Sequence, residues 1–266
     1  MVKSLPAAIE FSGVKKQFAA RGKTPPVLAV TDVNFSVAAG EVVSIIGPSG
    51  CGKSTLLNMG SGLTKATEGK VKVNGEQVTG PNPQVAFMLQ KDLLMPWRSI
   101  IENVEFGLEL RGVSKAQRRD VAQRLLTQCR IGGFAQSYPH QLSGGMRQRA
   151  ALARTLAVNP AVLLMDEPFS ALDAQTKMIL QQDLSQSVAK ENKTVVFITH
   201  DLTEAVALSD RILVMSERPG TITHEIIVDI ADRSNPMVRR KNPKLSDYTA
   251  QLMELLKLDE NVDVHH

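Results

Sequence analysis

The sequence has little cysteine, few aromatic residues and no long apolar run. Its two cysteines, Cys51 and Cys129, lie outside any CxxC or Cys/His pattern, which argues against a disulfide framework and a zinc site. The terminal pair His265 and His266 alone makes a poor metal site. No stretch approaches the ~18 to 20 apolar residues of a membrane-spanning helix, and the amino terminus lacks the apolar run of a secretory signal. We therefore expect the chain to stay in the cytoplasm.

The excess of positive over negative charge is also small. The 266 residues include 31 Lys and Arg against 27 Asp and Glu, a formal net charge of +4. So small an imbalance does not indicate a nucleic-acid-binding protein. Hydrophobic residues make up 43% of the chain and charged residues 22%, which favours a sizeable core over disorder. We interpret the small basic cluster Arg239, Arg240, Lys241 and Lys244 as a solvated linker.

The pattern of apolar residues predicts how the chain is organised. The predicted strands are Ile9 to Phe18, Val27 to Val37, Val42 to Ile46, Val71 to Val73, Val85 to Leu89, Val162 to Met165, Thr194 to Thr199, Arg211 to Met215 and Thr223 to Ile230. The predicted helical segments are a block within Ser99 to Ala157, then Ala174 to Ala189, Leu202 to Leu208 and Tyr248 to Leu258. Strands that alternate with helices are typical of a parallel sheet with crossover helices.

A glycine-rich segment after the third predicted strand has the pattern of a phosphate-binding loop. It reads GPSGCGKST and fits G-x-x-x-x-G-K-[ST]; the alternative is a glycine-rich turn that only precedes a helix. Glycines let successive N–H groups converge on a β-phosphate, Lys53 places a cation between the β- and γ-phosphates, and the Ser54 hydroxyl can ligate Mg²⁺. The helix opening at Lys53 adds its positive dipole end. The predicted nucleotide contacts are Gly47, Pro48, Ser49, Gly50, Cys51, Gly52, Lys53, Ser54 and Thr55.

Two acidic residues follow the buried strand Val162 to Met165. Asp166 at the end of that strand is placed to hold Mg²⁺ through water. The adjacent Glu167 would point towards the γ-phosphate and can polarise the attacking water. Two acids that merely end a strand are the common alternative, and the phosphate-binding loop is what favours the catalytic interpretation.

A further segment, LSGGM at Leu142 to Met146, resembles the signature motif of ATP-binding-cassette ATPases. The fuller motif of that family is LSGGQ, so Met146 stands in the place of Gln, and we interpret it as a variant. Ser143 offers a hydroxyl, and Gly144 and Gly145 offer bare N–H groups at a helix amino terminus. Together they form a second predicted anion site.

The resemblance implies a head-to-tail homodimer with two ATP molecules between the phosphate loop of one subunit and the signature of the other. It also assigns further positions, each of which alone could be structural. Gln90 matches the glutamine that senses Mg²⁺ and water, and Ser170 to Asp173, SALD, matches a loop at the dimer interface. His200 matches the histidine that binds the γ-phosphate, and Phe18 matches the aromatic residue that stacks on adenine.

The same resemblance implies the fold and its division. We expect an α/β P-loop NTPase (RecA-like) core, an amino-terminal antiparallel β subdomain and an inserted helical signature subdomain. The ATPase domain is predicted at 1–230 with the helical subdomain at about 91–160, and a tail with a short helix at 231–266.

The predicted reaction is hydrolysis of ATP to ADP and phosphate by in-line attack of water. Lys53, backbone amides and Mg²⁺ would neutralise the charge that grows on the phosphoryl oxygens. Glu167 would orient and partly deprotonate the water, while His200 holds water and γ-phosphate together. The predicted metal contacts are Ser54, Gln90 and Asp166.

Three interpretations compete at this point: the ATP-binding subunit of a membrane transporter, a soluble cassette ATPase of DNA repair or translation, and an unrelated P-loop enzyme such as a GTPase or kinase. A GTPase would need NKxD, and the nearest string, Asn192 to Val195, ends in Val. DNA-repair cassettes carry a long coiled coil, and translation cassettes usually carry two cassettes in one chain. The span from Gln90 to Leu142 is about 50 residues without sustained heptads, and one cassette is present. A transporter subunit is favoured, and a soluble non-transport cassette remains the alternative.

Within transporters the chain is similar to the bacterial group that imports nitrate, sulfonate, taurine and bicarbonate. The segments that carry this similarity are Leu93 to Val113, LSGGMRQR and MSERPGTI at Met215 to Ile222. The similarity implies transmembrane permease subunits that dock near Gln90 to Trp97, a solute-binding protein reached indirectly, and a peripheral location on the cytoplasmic face of the membrane. Trp97 could instead cap the helical core. No residue identifies the solute.

Overall fold

The computed structural model describes residues 7–20 and 25–258, so His265 and His266 lie outside the described residues. The strands are β1 (Ala7–Phe18), β2 (Val27–Ala38), β3 (Val42–Ile46), β4 (Glu68–Val73), β5 (Glu76–Gln77), β6 (Val85–Met88), β7 (Val162–Asp166), β8 (Thr194–Ile198), β9 (Arg211–Met215) and β10 (Ile222–Ile227). The helices are α1 (Lys53–Gly60), α2 (Ile100–Leu110), α3 (Lys115–Gln128), α4 (Gly144–Ala157), α5 (Ala174–Lys190), α6 (Leu202–Leu208), α7 (Pro236–Arg239) and α8 (Lys244–Leu255). Two short 3₁₀ helices span Gly132–Phe134 and Pro139–Gln141.

The larger sheet has the strand order β10-β9-β3-β8-β7-β6 within the described ranges. Its strands run parallel except β10, which pairs antiparallel with β9. Every residue of β3, β7 and β8 is buried, and their nearly continuous apolar runs are expected for parallel strands that are covered on both faces. The carboxyl ends of these strands meet at one edge of the sheet, and that edge carries the candidate site.

The smaller sheet is antiparallel, with the order β2-β1-β4-β5. Phe11 stacks on Phe35 with ring centroids 4.5 Å apart, which ties β1 to β2. Helix α1 lies between this sheet and the larger one, since a Cβ built at Gly60 would lie 3.1 Å from both Ile9 Cδ1 and Leu164 Cδ1. The small sheet thus packs against the helix that follows the phosphate loop.

Helices α2, α3 and α4 form a block between β6 and β7. Helix α2 begins with a capping box, because the Ser99 backbone N–H donates to Glu102 Oε2 at 2.8 Å and Glu102 N donates back to Ser99 Oγ. The side-chain and backbone hydrogen bonds from Ser99 lower the pKa of Glu102. The core of this block is apolar and includes Ile100, Ile101, Val104, Leu126, Ala150 and Leu152. The predicted fold class, an α/β core with an antiparallel sheet and an inserted helical block, is confirmed by these elements.

Two strands differ by three residues at one end from the predicted bounds, and the other predicted strands differ by two residues or fewer. Strand β4 begins at Glu68, earlier than the predicted Val71, because pairing with β1 continues to Lys15 along an exposed edge that has no apolar signal. Strand β10 ends at Ile227, earlier than the predicted Ile230. The apolar residues Val228 and Ile230 lie beyond the end of the strand. They are apolar because they are buried in the core beside α6.

The carboxyl-terminal segment corrects one prediction. Arg239, at the end of α7, is 1% exposed, and its guanidinium donates hydrogen bonds to the carbonyl oxygens of Ala207, Ser209 and Ile230. The interpretation of the basic cluster as a solvated linker is therefore wrong for Arg239. Helix α8 begins at Lys244, four residues before the predicted Tyr248.

Candidate active site

The phosphate loop joins β3 to α1 and depends on two glycines with left-handed backbone. Gly50 has φ +75° and Gly52 has φ +111°, conformations that other residues adopt at a cost. A Cβ at Gly52 would lie 2.4 Å from Val30 Cγ1 of β2. The loop can therefore take this path against the small sheet only with glycine at that position.

Lys53 is held inside the loop. Lys53 is only 6% exposed, and its Nζ donates to the carbonyl oxygens of Gly47 at 2.7 Å and Pro48 at 2.8 Å. These bonds fix the ammonium group at the amino terminus of α1, where the helix dipole also favours an anion. Cys51 is 1% exposed and packs beneath the loop.

Asp166 ends β7 beside the phosphate loop. The residue is 5% exposed. Burial raises the pKa of its carboxyl, while a hydrogen bond with Ser54 acts in the opposite direction. A buried carboxylate next to a hydroxyl is a pair of hard oxygen donors, which suits Mg²⁺. Among the residues that the structure describes, no group of three or more His, Cys, Asp or Glu could hold a metal ion alone, but Mg²⁺ at such sites takes few protein ligands and completes its shell with phosphate and water.

Glu167 brings together three of the predicted site residues. Its Oε2 accepts a hydrogen bond from Gln90 Nε2 at 3.1 Å, and its Oε1 lies 2.6 Å from His200 Nε2. Gln90, Glu167 and His200 follow the adjacent strands β6, β7 and β8, so the parallel order of the strands produces this contact. The carboxylate is thus oriented from both sides.

Gln148 is a site residue to which the sequence analysis gave no role. Its Nε2 donates to the Glu167 carbonyl oxygen at 3.0 Å and its Oε1 accepts from Ala171 N at 2.9 Å. Glu167 has φ +50°, an unusual backbone for a non-glycine residue, and the Gln148 bond helps to hold it there. The available signal was a polar residue on the buried stripe of α4, three residues before Ala151.

A cleft of about 420 Å³ connects these residues. Its lining includes the loop residues Ser49, Gly50, Gly52, Lys53, Ser54 and Thr55, together with Gln90, Glu167, Ile198, His200 and Arg218. Most predicted catalytic and phosphate-binding residues therefore share one cavity. Arg218 is an addition that the sequence analysis did not identify as a site residue.

The signature residues do not line this cleft. Ser143 caps the amino terminus of α4, and its Oγ accepts from Met146 N at 3.3 Å. Ser143 and Gly144 are exposed. Behind them, Arg147 Nε donates to Asp92 Oδ2 at 3.0 Å, which ties α4 to the segment after Gln90. Within one chain the second predicted anion site is therefore separate from the first.

Phe18 also lies outside the lining of the cleft. It ends β1, is 44% exposed, and has Lys16 Nζ 5.1 Å from its ring centroid. Its contact with adenine stays a prediction.

Known proteins are similar in sequence to this chain over most of its length. The family model described as ABC transporter matches residues 30–170. The chain is 45% identical over 231 residues to an uncharacterised ABC transporter ATP-binding protein of Methanocaldococcus jannaschii, covering 87% of this chain and 85% of that protein. It is 41% identical over 241 residues to the nitrate import ATP-binding protein NrtD of Synechocystis sp. (89% and 91% covered). It is 42% identical over 205 residues to the taurine import ATP-binding protein TauB of Yersinia pestis (77% and 80% covered).

A solved structure agrees with the fold. A dimeric ATP-binding cassette in a post-hydrolysis state, bound to ADP and Pi, aligns with a TM-score of 0.77 and 34% identity, covering 84% of this chain and 99% of that chain. The fold and the cleft define an ATP-binding cassette ATPase. The chain belongs to the ABC transporter family, as its signature segment predicted. None of the described helices is long and apolar enough to cross a membrane.

Proposed function

We propose that this chain is the ATP-hydrolysing subunit that powers import of a small anion, such as nitrate, a sulfonate or taurine, by a membrane ABC transporter. The observation that carries the catalytic part is the Glu167 carboxylate, held between Gln90 and His200 in the cleft that contains Lys53. The import direction and the solute class are supported by the names of the nitrate and taurine relatives. These relatives do not favour the alternative of a soluble DNA-repair or translation cassette.

In the proposed site each residue has a chemical task. The loop from Gly47 to Thr55 binds the phosphates, with Lys53 as its cation. Glu167 orients the water and accepts its proton, and His200 holds the γ-phosphate. Ser54, Asp166 and Gln90 would hold Mg²⁺, which when bound neutralises charge on the phosphate oxygens. Phe18 stacks on adenine.

A second copy of the chain completes the site. Ser143, Gly144 and Gly145 offer a hydroxyl and N–H groups at the start of α4, but they lie outside the cleft of their own chain. A head-to-tail dimer would place them over the γ-phosphate bound by the partner. The similar cassette of known structure is described as dimeric, which supports this arrangement.

The segment after Gln90 forms a proposed docking surface for permease subunits. Trp97 is 74% exposed and Leu93 is 57% exposed, so Trp97 does not cap the helical core. The buried amide of Asn103 holds the backbone beneath them, accepting from Met95 N at 2.7 Å and donating to Ser99 O at 3.0 Å. Exposed apolar side chains on a fixed backbone suit a protein interface. The bound subunit would lie at the cytoplasmic face of the membrane.

The test is reconstitution of the chain with its membrane subunits in proteoliposomes. We expect ATP-dependent uptake of nitrate, taurine or an alkyl sulfonate, with uptake and ATPase activity both lost in Glu167→Gln. Co-purification with ribosomes or DNA, together with failure to bind any membrane subunit, would instead support the soluble alternative.

A further inference from the structure

The loop between β9 and β10, residues 216–221, is seated directly on the phosphate loop. The Gly220 N–H donates to Ala29 O and the Gly220 carbonyl accepts from Thr31 N, both at 3.0 Å, which attaches this loop to β2. A Cβ built at Gly220 would lie 2.0 Å from the Cys51 carbonyl oxygen. Only glycine therefore permits this close approach of the two backbones.

Arg218 extends from this loop into the candidate site. Its Nε, at 3.1 Å, and its Nη2, at 2.9 Å, both donate to the Gly50 carbonyl oxygen. A Cβ at Gly50 would lie 3.3 Å from Nη2, so the absence of a side chain at Gly50 leaves room for the guanidinium. Arg218 lines the same cleft as Lys53 and Glu167, although the proposed reaction assigns it no task.

The two hydrogen bonds fix the orientation of one peptide unit. In a planar trans peptide the carbonyl and the following N–H point in opposite directions. With the Gly50 oxygen turned to Arg218, the Cys51 N–H is turned towards the interior of the phosphate loop. Its intrachain acceptor there is Pro48 O at 3.4 Å, which is long for such a bond. The Cys51 N–H is therefore available to a stronger acceptor, such as a phosphate oxygen.

We propose that Arg218 is a positioning residue for ATP. By holding the Gly50 carbonyl it aims the Cys51 N–H at the phosphates, and its charge adds to that of Lys53. The inference rests on the proposed assignment of the cleft to ATP.

The test compares Arg218→Ala and Arg218→Lys in the full chain. We expect Arg218→Ala to raise the Kd for ATP·Mg²⁺ and the KM about 10-fold. The two hydrogen bonds from the charged guanidinium to the Gly50 carbonyl are lost, so the Cys51 N–H is no longer held towards the phosphates. We expect kcat to change by less than about twofold, because the residue acts on binding. The nucleotide-free melting temperature should stay near that of the parent, since Arg218 is exposed. Arg218→Lys should recover part of the affinity, because a lysine keeps the charge but not the two-pronged contact.

Two controls separate the possible failures. Arg124→Ala removes one positive charge from the exposed face of α3, where that side chain does not line the cleft, and it should bind ATP as the parent does. Lys53→Ala should weaken binding strongly if the cleft is the ATP site. If Lys53→Ala binds ATP weakly but Arg218→Ala binds it with the parental Kd, the role of Arg218 alone is overturned. A fall in kcat at constant KM in Arg218→Ala would overturn that role as well. Parental Kd in Lys53→Ala would overturn the assignment of the cleft. Should Arg218→Ala fail to fold, a Kd of Arg218→Lys equal to that of the parent would overturn the proposal, and a raised Kd would support it.

Discussion

The phosphate loop and the signature motif both place hydrogen-bond donors at the amino terminus of a helix. They differ in whether one chain alone forms a complete anion-binding site. In the phosphate loop, Lys53 is nearly buried and bonded to two carbonyl oxygens, and a cleft opens in front of it. At the signature, Ser143 and Gly144 are exposed and line no part of that cleft. The first site can bind an anion within one chain, whereas the second needs a surface from outside. This difference teaches that ATP binding and ATP hydrolysis should be separable by mutation.

Glu167→Gln should have the largest effect, on the phosphate-loop side of the comparison. We expect turnover to fall by about 10²–10⁴-fold, since a general base is lost, while ATP affinity is retained because Lys53 is intact. ATP-bound dimers should accumulate, and size-exclusion chromatography with ATP·Mg²⁺ measures them beside a steady-state ATPase assay. Turnover at the parental rate in the assembled transporter would show that Glu167 is not the base.

Trp97→Ala addresses a second surface that needs an outside partner. We expect binding to the membrane subunits to weaken about 30-fold, which is typical for an interface hot spot, and uptake to fall with it. ATP binding by the isolated chain should not change. Leu110→Ala is the control, because Leu110 is 72% exposed at the far end of α2. The docking assignment would be wrong if Trp97→Ala assembled and transported like this control.

Ser143→Ala sharpens the comparison directly. We expect about 10-fold slower ATP hydrolysis by the dimer, from the loss of one hydroxyl to the phosphate, with unchanged ATP binding by the monomeric chain. Ser114→Ala is matched to it, since Ser114 is also an exposed helix cap, at the start of α3. Equal ATPase rates in the two variants would contradict a role for the signature serine beyond capping.

Asp166→Asn should have the smallest effect of the four substitutions. It concerns the stability of the folded chain, and we expect a gain and not a loss. Burial raises the pKa of Asp166, so the folded chain holds its proton more tightly than the unfolded chain does. The resulting loss of stability develops as the pH rises from the ordinary carboxyl range through the raised pKa, and it is complete above it. At neutral pH we expect Asp166→Asn to raise the free energy of unfolding by about 1 kcal/mol.

Thermal melting without nucleotide at two pH values measures this effect. The gain should shrink in acid, where the parental carboxyl is protonated as well. ATPase activity of Asp166→Asn should be low at both values. A variant less stable than the parent at neutral pH would mean that the carboxylate is stabilised by its surroundings, contrary to its buried position.

Local patterns in the sequence predicted much of the fold and the site. The strand β3 followed by GPSGCGKST, and β7 followed by Asp166, each carry their signal within a few consecutive residues. The alternation of strand and helix predicted a parallel sheet, whereas the strand order β8-β7-β6, which brings Gln90, Glu167 and His200 together, is seen only in the structure. The domain limits at 230 and at 91–160 stay predictions.

The residues that sequence reasoning missed act through contacts between distant segments. Gln148 bonds Glu167 and Ala171, and Arg218 bonds Gly50, which is 168 positions earlier in the chain. Neither residue type nor local spacing distinguishes these side chains from ordinary polar ones. Arg239 was misjudged for the same reason, since a run of basic residues is usually solvated and its buried acceptors lie on other elements.

Arg239 has a practical consequence for anyone who shortens this protein. A chain cut after Ile230 would leave the carbonyl oxygens of Ala207, Ser209 and Ile230 without the guanidinium that now satisfies them. The same cut would remove Leu252 of α8, which is fully buried in the core beside α6. Burying one leucine side chain contributes about 1.5–3 kcal/mol, so such a fragment would give up a large share of a typical folding free energy. Tags and truncations are therefore better placed beyond α8.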